Sequence, residues 1–335
     1  MKERATGTLS EQALGVDGVV ELGTLERNGL DESRHLGAAI AVSATGETLA
    51  SLGDPDALVY PRSSLKPMQA LTVVRSGVSL EGEQLVLAAA SHTGTPAHVA
   101  VVEAMLASVG LTENDLQCTP EWPSDAEAAA IARTTSQKRR ITGGCSGKHA
   151  SFLLACVKND WPIETYLDAE HPLQVQIRET IREFSGEAVG HVGVDGCGAP
   201  LSAVTLRALA TVFSRVARGV NGTGPDADVA RLATAIQENA WAIDGPGGAN
   251  TTVIDELGLI CKGGAEGVIA IGAEDGTAVA LKSIDGSRRI TSLVALELLA
   301  RAGTITRADA DRVSALVTDK VLGGGVPVGH IRVAF

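Results

Sequence analysis

The chain has 335 residues and a formal net charge of −12, with 44% hydrophobic, 20% charged and 3% aromatic residues. This composition is typical of a globular protein with a large core, and the negative charge argues against nucleic acid or an anionic membrane as the main partner. The N-terminus has no apolar signal-peptide core, and no run of about 18 apolar residues predicts a membrane span, so we expect a cytoplasmic protein. Its five cysteines are irregularly spaced, which in that compartment favours core, metal-binding or catalytic thiols over disulfides.

In chain order, the predicted elements begin and end with hairpins. Residues 36–54 form two apolar runs around Thr45-Gly46, and residues 266–286 repeat this pattern around Asp275-Gly276, a dipeptide that favours tight hairpin turns. The segments between them carry apolar residues at helical spacing, and several end at glycine: 67–77, 82–92, 96–110, 148–159, 172–186 and 200–219. Two more helices are predicted at roughly 291–302 and 307–318, before a final apolar stretch at 330–335.

Strands at both ends and helices in the middle predict an α/β (α+β) fold with one antiparallel or mixed sheet, formed by both chain termini and covered by helices. We expect a single domain over residues 1–335, with the sheet at about 17–60 and 250–335 and a helical part at about 61–245. This order differs from the regular alternation of strands and helices in a parallel doubly wound fold.

The stretch ITGGCSGKHASF places Cys145, Lys148 and His149 at the start of a predicted helix. It is not a phosphate-binding loop, because Thr142 stands where that motif needs its first glycine, and no hydroxyl residue follows the lysine. A thiol at a helix N-terminus beside a lysine has a lowered pKa, which indicates a reactive cysteine.

A metal site is the second interpretation of this stretch. Cys197 also lies between glycines before a predicted helix, so Cys145, Cys197 and Lys148 could converge on one ion, and zinc suits thiolate ligands. The separation of the two cysteines is not a standard zinc spacing, and two small buried cysteines at glycine turns would give the same pattern.

The stretch PRSSLK contains Ser63 and Lys66, which share one face at the opening of a helix. This is the Ser-x-x-Lys pattern of acyl-serine enzymes, in which a desolvated lysine removes the proton of the nucleophilic hydroxyl. An ordinary helix start with a capping serine gives the same four residues. Farther on, Ser91 ends a predicted helix and Lys262 ends an apolar run before two glycines. That order matches Ser-x-x-Lys enzymes, although neither Ser-Asp-Asn nor Lys-Thr-Gly is present, which argues against a true β-lactamase.

Together and in order, the segments PRSSLK, ASHTG, GGCSGKHA, DGCGAP and KGGAEG resemble the thiolate-zinc L-asparaginase II family of the Rhizobium etli inducible type, over about residues 17–335. The resemblance implies a fold similar to serine β-lactamases and glutaminases, hydrolysis of L-asparagine to L-aspartate and ammonia, and a homodimer. It implies two catalytic pairs and a zinc ion near several polar residues: Ser63 with Lys66, Ser91 with Lys262, zinc ligands Cys145, Lys148 and Cys197, and Arg62, His149 and Asp195 beside them. We add His92 to the predicted substrate-binding residues because it adjoins Ser91.

The predicted reaction begins with attack of Ser63 Oγ on the side-chain amide carbon, while a neutral Lys66 accepts the proton. Backbone N–H groups near the helix start stabilise the oxyanion, ammonia leaves after protonation through Ser91 and Lys262, and zinc organises substrate binding rather than activating water. Residues 243–253 lack the Arg-Phe-Asp-Thr run of the family. We therefore expect the far wall of the substrate pocket to differ from that of the family. The alternatives are a glutaminase or other serine amidase, a β-lactam-recognising acylase, and a non-catalytic zinc-binding protein.

Overall fold

An eight-stranded antiparallel sheet joins the two ends of the chain in the computed structural model, which describes residues 12–134 and 137–335. In chain order the strands are β1 (Val20–Arg27), β2 (Leu30–Val42), β3 (Thr48–Leu52), β4 (Leu58–Val59), β5 (Val192–Val194), β6 (Pro200–Ser202), β7 (Val204–Thr205), β8 (Ile260–Gly264), β9 (Val268–Gly272), β10 (Ala278–Ser283), β11 (Val321–Gly323) and β12 (Val326–Val333). The sheet has the order β11-β12-β1-β2-β10-β9-β8, with β3 also paired to β2. The remaining strands form two short pairs, β4 with β7 and β5 with β6.

The helices lie mainly between the two groups of sheet strands. They are α1 (Lys66–Arg75), α2 (Gly82–Ala89), α3 (Pro96–Ala107), α4 (Ala126–Thr134), α5 (Ser146–Lys158), α6 (Pro172–Ser185), α7 (Leu206–Ala217), α8 (Ala227–Glu238), α9 (Trp241–Asp244), α10 (Ala249–Leu257), α11 (Thr291–Arg301) and α12 (Arg307–Val317). Helices α7 and α11 both pack on β9 and β10. Every residue of β9 is buried although successive side chains point to opposite faces, so both faces of the sheet are covered there. No helix in the described part of the chain is long and apolar enough to cross a membrane.

The predicted fold class is confirmed, because both ends of the chain supply strands to one antiparallel sheet covered by helices. Both predicted hairpins form: β2 pairs with β3, and β9 pairs with β10 around Gly276, whose φ of 86° needs the freedom of glycine. The sheet strands span residues 20–52 and 260–333, a narrower extent than predicted, since β4 pairs with β7 and residues 249–257 are helical.

The helix predicted over residues 200–219 is wrong in its first third. Residues 200–205 contribute β6 and β7 to the short strand pairs, and α7 begins only at Leu206. Thr205 ends the extended backbone because its side chain accepts a hydrogen bond from the Ala208 N–H and so caps the helix. Strand β1 and helices α4, α8 and α10 were not predicted, although α8 carries Val229, Leu232, Ala233 and Ile236 at helical spacing.

Candidate active site

A cavity of about 1020 Å³ opens where the start of α1, the end of α2, the start of α5 and strand β8 meet. Seven of the eleven predicted site residues line it: Arg62, Ser63, Ser91, Cys145, Asp195, Cys197 and Lys262. The other four, Lys66, His92, Lys148 and His149, are buried behind its wall. Five segments that lie far apart in the sequence therefore meet at one place.

Ser63 is presented to the cavity by a single turn of 3-10 helix that leads into α1. Arg62, just before it, has a φ of 53°, a left-handed conformation that is uncommon for a residue other than glycine and is often found at functional sites. Strand β8 packs closely against this turn. The neighbouring Ser64 donates a hydrogen bond of 3.0 Å to the Lys262 carbonyl, and a Cβ added at Gly264 would lie only 2.6 Å from the Pro61 carbonyl oxygen. The Ser63 hydroxyl itself makes no hydrogen bond with the described residues, so it is available to a ligand.

Two buried lysines share one serine hydroxyl beside Ser63. Lys66 Nζ lies 3.1 Å and Lys262 Nζ lies 2.9 Å from Ser91 Oγ, and the two lysines are only 2% and 1% exposed. The second predicted pair, Ser91 with Lys262, is thus joined by a hydrogen bond. The first pair, Ser63 with Lys66, is joined only through the backbone, since the Lys66 N–H donates to the Ser63 carbonyl.

The hydrogen bonds of the two lysines differ in number. Lys66 Nζ donates to Ser91 Oγ, to the Ala90 carbonyl and to Cys145 Sγ, which uses all three hydrogens of an ammonium group. Among the described residues, Lys262 Nζ is hydrogen-bonded to two groups, Ser91 Oγ and the Gly263 carbonyl, the latter at 2.7 Å. Burial and the charge of Lys66 lower the pKa of Lys262 to about 7. The geometry therefore favours Lys262 as the neutral amine, whereas the sequence had assigned that state to Lys66.

A cluster of sulfur and nitrogen atoms lies beside Lys66. The side chains of Cys145 and Cys197 are hydrogen-bonded to each other, Lys148 Nζ lies 3.1 Å from Cys197 Sγ, and Lys66 Nζ lies 3.2 Å from Cys145 Sγ. The hydrogen bond from Cys197 and the charges of both lysines lower the pKa of Cys145 well below its usual value, despite burial. The pKa of Cys197 is raised by the neighbouring Cys145 and by burial. Cys145 is therefore the thiolate of the pair.

The donor atoms of this cluster fit a zinc ion. Two sulfurs and an amine nitrogen converge, and zinc accepts thiolate and nitrogen ligands in tetrahedral sites. In the described residues no three His, Cys, Asp or Glu side chains gather into a possible metal site, and the nitrogen atoms that contact the two sulfurs belong to Lys148 and Lys66. All five cysteines are free thiols, so neither sulfur is occupied by a disulfide.

An ion pair forms the wall of the cavity next to Ser63. Arg62 Nε lies 2.7 Å from Asp195 Oδ1, and the Gly196 N–H donates to the same oxygen at 2.8 Å. Burial is the largest single influence on Asp195 and opposes its ionisation, but the hydrogen bonds from Arg62 and the Gly196 N–H, together with the charges of Arg62 and Lys148, outweigh it and lower the pKa of the carboxyl. The terminal nitrogens of Arg62 make no hydrogen bond with a described residue, which leaves them free to meet an anionic group in the cavity.

The two predicted substrate-binding histidines do not reach the cavity. His92 Nε2 contacts Ser146 Oγ at 2.8 Å, and its Nδ1 accepts from the Gly94 N–H. Helix α2 ends at an extended residue, Ala90, and Ser91 and His92 follow it outside any helix or strand; Ser91 lines the cavity, whereas His92 is buried in the core. His149 lies inside the first turn of α5, where its Nδ1 contacts Tyr166 Oη at 2.8 Å. Burial lowers the pKa of both rings well below the usual value, so both are neutral. Their hydrogen bonds pack them against the residues that hold the site.

Two further residues of the wall were not singled out in the sequence. Asp244 and Asn250 lie at either side of the Gly-Pro-Gly-Gly turn between α9 and α10, and Asn250 links the Asp244 carboxylate to the backbone N–H of Gly263. The glycine-rich turn between two short helices is the signal that could have indicated them. It lies in the segment that lacks the Arg-Phe-Asp-Thr run.

Comparison with known proteins identifies a family but no near relative. The sequence model described as L-asparaginase II matches residues 24–333. No curated protein matches the chain. A crystal structure of Mglu has 15% identity and a TM-score of 0.45, and the match covers 86% of this chain and 69% of that one. In a second Mglu structure, of its native form, the match covers 65% of the Mglu chain. A β-lactamase from Mycobacterium bovis has 16% identity and a TM-score of 0.41 over 83% of this chain and 94% of that one.

Proposed function

The chain belongs to the L-asparaginase II family, which makes it an amidohydrolase, and we propose that it converts L-asparagine to L-aspartate and ammonia through an acyl-enzyme on Ser63. The observation that carries this proposal is the arrangement of Lys66, Ser91 and Lys262 at the same cavity as Ser63, whose hydroxyl makes no hydrogen bond with the residues that the structure describes. A nucleophilic hydroxyl needs a base within reach, and two amines that share one hydroxyl can hold and return its proton.

The lysine pair has to share a single proton to act as the base. Lys66 donates to Ser91 Oγ, and the Ser91 hydroxyl can donate to the lone pair of Lys262, whose pKa of about 7 leaves it partly neutral at pH 7. Transfer along this line moves one proton from Lys66 through Ser91 to Lys262. Lys66, one turn after Ser63, is then neutral and accepts the Ser63 proton as the oxygen attacks the amide carbon.

The same pair supplies the proton for the leaving group. After attack both lysines are charged, and one proton passes to the amide nitrogen, so that the C–N bond breaks and ammonia leaves. Water then attacks the aspartyl ester, gives its proton to the neutral lysine, and Ser63 recovers its hydrogen when the ester oxygen leaves. Each proton taken from a nucleophile is thereby returned within one turnover.

We propose that Cys145, Lys148 and Cys197 hold a zinc ion. Bound zinc supplies positive charge and fixed geometry to this side of the cavity. Zinc binding requires Cys197 and Lys148 to release protons, because a coordinating thiol and amine are bound in their deprotonated forms. Cys145 also accepts a hydrogen bond from Lys66, so the position of its sulfur affects the catalytic amine directly.

Arg62 is the proposed partner of the substrate carboxylate. Its Nε is held by Asp195 while its terminal nitrogens make no hydrogen bond within the described part of the chain, which orients the guanidinium plane for a second anion. The homodimer implied by the family resemblance stays a prediction.

The experiment that tests the function measures ammonia release from asparagine and glutamine, with zinc content determined on the same sample. We expect release from asparagine by the wild-type protein and none above background from Ser63→Ala. Ser124→Ala, which removes the same atom from an exposed serine on the cavity wall, is the control and should retain activity. Near-normal release by Ser63→Ala would refute the assigned nucleophile, and exclusive release from glutamine would make the protein a glutaminase.

A further inference from the structure

Asp244 is a carboxylate of the cavity wall that the proposed mechanism does not use. It ends α9 and is half-buried, next to the segment that carries Ser91, because the Ser91 N–H donates to the Ile243 carbonyl at 3.0 Å. On its other side, Asn250 connects it to Gly263, whose carbonyl accepts a hydrogen bond from Lys262. Asp244 therefore lies between the two reacting segments.

One oxygen of this carboxylate is fixed by the protein and the other is free. Oδ2 accepts hydrogen bonds from Asn250 Nδ2 at 2.9 Å and from the Asn250 N–H at 3.2 Å. Oδ1 makes no hydrogen bond or ion pair with any residue that the structure describes. The carboxylate is thus held in one orientation and keeps an unused acceptor, which is the condition for binding a cation without reorganisation.

The turn after Asp244 is shaped around its side chain. A Cβ at Gly248 would lie 2.8 Å from both the carboxyl carbon and Oδ2 of Asp244, so only glycine at this position leaves room for the carboxylate. Gly245 and Gly247, with φ values of 85° and 74°, provide the left-handed backbone that returns the chain to α10.

The cations nearby are engaged elsewhere. Arg62 is paired with Asp195, and Lys262, which is partly neutral at pH 7, is hydrogen-bonded to Ser91 and Gly263 rather than to Asp244, although the charge of Asp244 is near enough to act on its pKa. A half-buried carboxylate that forms no ion pair with a described residue is costly, and a ligand that brings a positive charge into hydrogen-bond contact lowers that cost.

We propose that Asp244 binds the α-ammonium group of the substrate, and so selects amides of α-amino acids over amides of simple carboxylic acids. The inference rests on the proposed amidase function and adds to it the residue that recognises the α-ammonium group. Asp244 would hold the ammonium group while Ser63 meets the side-chain amide of the same molecule.

The test compares two substrates and two products that differ only in the ammonium group: asparagine with succinamate, and L-aspartate with succinate. In Asp244→Asn the Oδ2 contacts to Asn250 can be kept by an isosteric side chain, while the negative charge is lost. We expect kcat/KM for asparagine to fall by roughly ten- to a hundredfold, mainly through KM, because a charged hydrogen bond is lost. The kcat/KM for succinamate should stay unchanged. Glu121→Gln, at an exposed carboxylate of the same wall, is the matched control and should change neither.

Binding separates this inference from the proposed function. Calorimetry should show that the wild-type protein binds L-aspartate more tightly than succinate, and that Asp244→Asn removes the difference. If the protein hydrolyses no amide but shows this binding pattern, the amidase proposal fails and the ammonium site stands. Equal losses for asparagine and succinamate, or no discrimination by the wild-type protein in either assay, would overturn the assignment. Should Asp244→Asn not fold, Asp244→Glu, which keeps the charge and moves it, is expected to lose affinity for L-aspartate alone.

Discussion

Replacing Lys262 by methionine tests whether a nearly neutral amine is buried at the centre of the site. Lys262 is 1% exposed, and burial together with the charge of Lys66 lowers its pKa to about 7 from the usual 10.5. At about 1.4 kcal/mol per pH unit, this difference corresponds to roughly 5 kcal/mol against the charged form in the folded protein. Methionine fills a similar volume without the charge.

The pH dependence has a defined sign. The folded-state pKa lies below the unfolded-state pKa, so between about pH 7 and 10.5 the unfolded chain holds a proton that the folded chain has lost. The free energy of unfolding of the wild-type protein therefore gains up to about 1.4 kcal/mol per pH unit in this window. Lys262→Met lacks this contribution but loses two hydrogen bonds of about 1 kcal/mol each. We expect it to be about 3 kcal/mol more stable than wild type at pH 6 and about 1 kcal/mol less stable at pH 10.

Urea unfolding at several pH values between 6 and 10 measures this difference. Lys320→Met removes a lysine from an exposed position and is the control, with an expected difference of less than about 0.5 kcal/mol at every pH. A difference between Lys262→Met and wild type that does not vary with pH would refute the perturbed amine, and with it the shared proton of the lysine pair.

Three further predictions concern the rate, the turn at Ser63 and the metal. The kcat/KM for asparagine should rise up to about tenfold per pH unit below about pH 7 and level off above it, because Lys66 and Lys262 together must lose one proton before they can act as the base. A flat profile from pH 5 to 9 would exclude the lysine pair as the base. Gly264→Ala should lower kcat at least about tenfold, because its Cβ would lie 2.6 Å from the Pro61 carbonyl oxygen and displace the turn that carries Ser63. Gly190→Ala is the control and should leave kcat unchanged, because its Cβ would have no atom within 4 Å. Stopped-flow or steady-state assays compare the two variants. Cys197→Ser should lose bound zinc in elemental analysis while Cys156→Ser keeps it, and chelation of the wild-type protein should raise KM more than it lowers kcat. Complete loss of turnover on chelation, restored only by metal, would instead indicate that the ion takes part in the chemistry.

The fold class could be predicted because the hairpins carry local signals. Thr45-Gly46 and Asp275-Gly276 each specify a turn between apolar runs, and their positions near the two ends of the chain indicate a sheet formed by both. Residues 200–205 could not be predicted as strands, because their pairing with β4 and β5 is decided by packing rather than by period.

The members of the site were easier to predict than the directions of their side chains. Ser63 and Lys66 are one turn apart, so their proximity follows from helix geometry. That Lys66 bonds Ser91 rather than Ser63 follows from the approach of α2 and β8, which the sequence does not show. His92 was expected at the cavity because it adjoins Ser91, but its ring is buried against Ser146 of α5, a contact that the sequence does not show.

The central claim is that Ser63 forms a covalent ester with the acyl part of the substrate, and it is tested most directly by quenching the protein in acid during turnover of asparagine and mapping its mass. We predict an added aspartyl group on the peptide that contains Ser63, absent from Ser63→Ala and lost with time as ester hydrolysis proceeds. An aspartyl group found on Ser91 instead, or steady turnover by Ser63→Ala, would contradict the account.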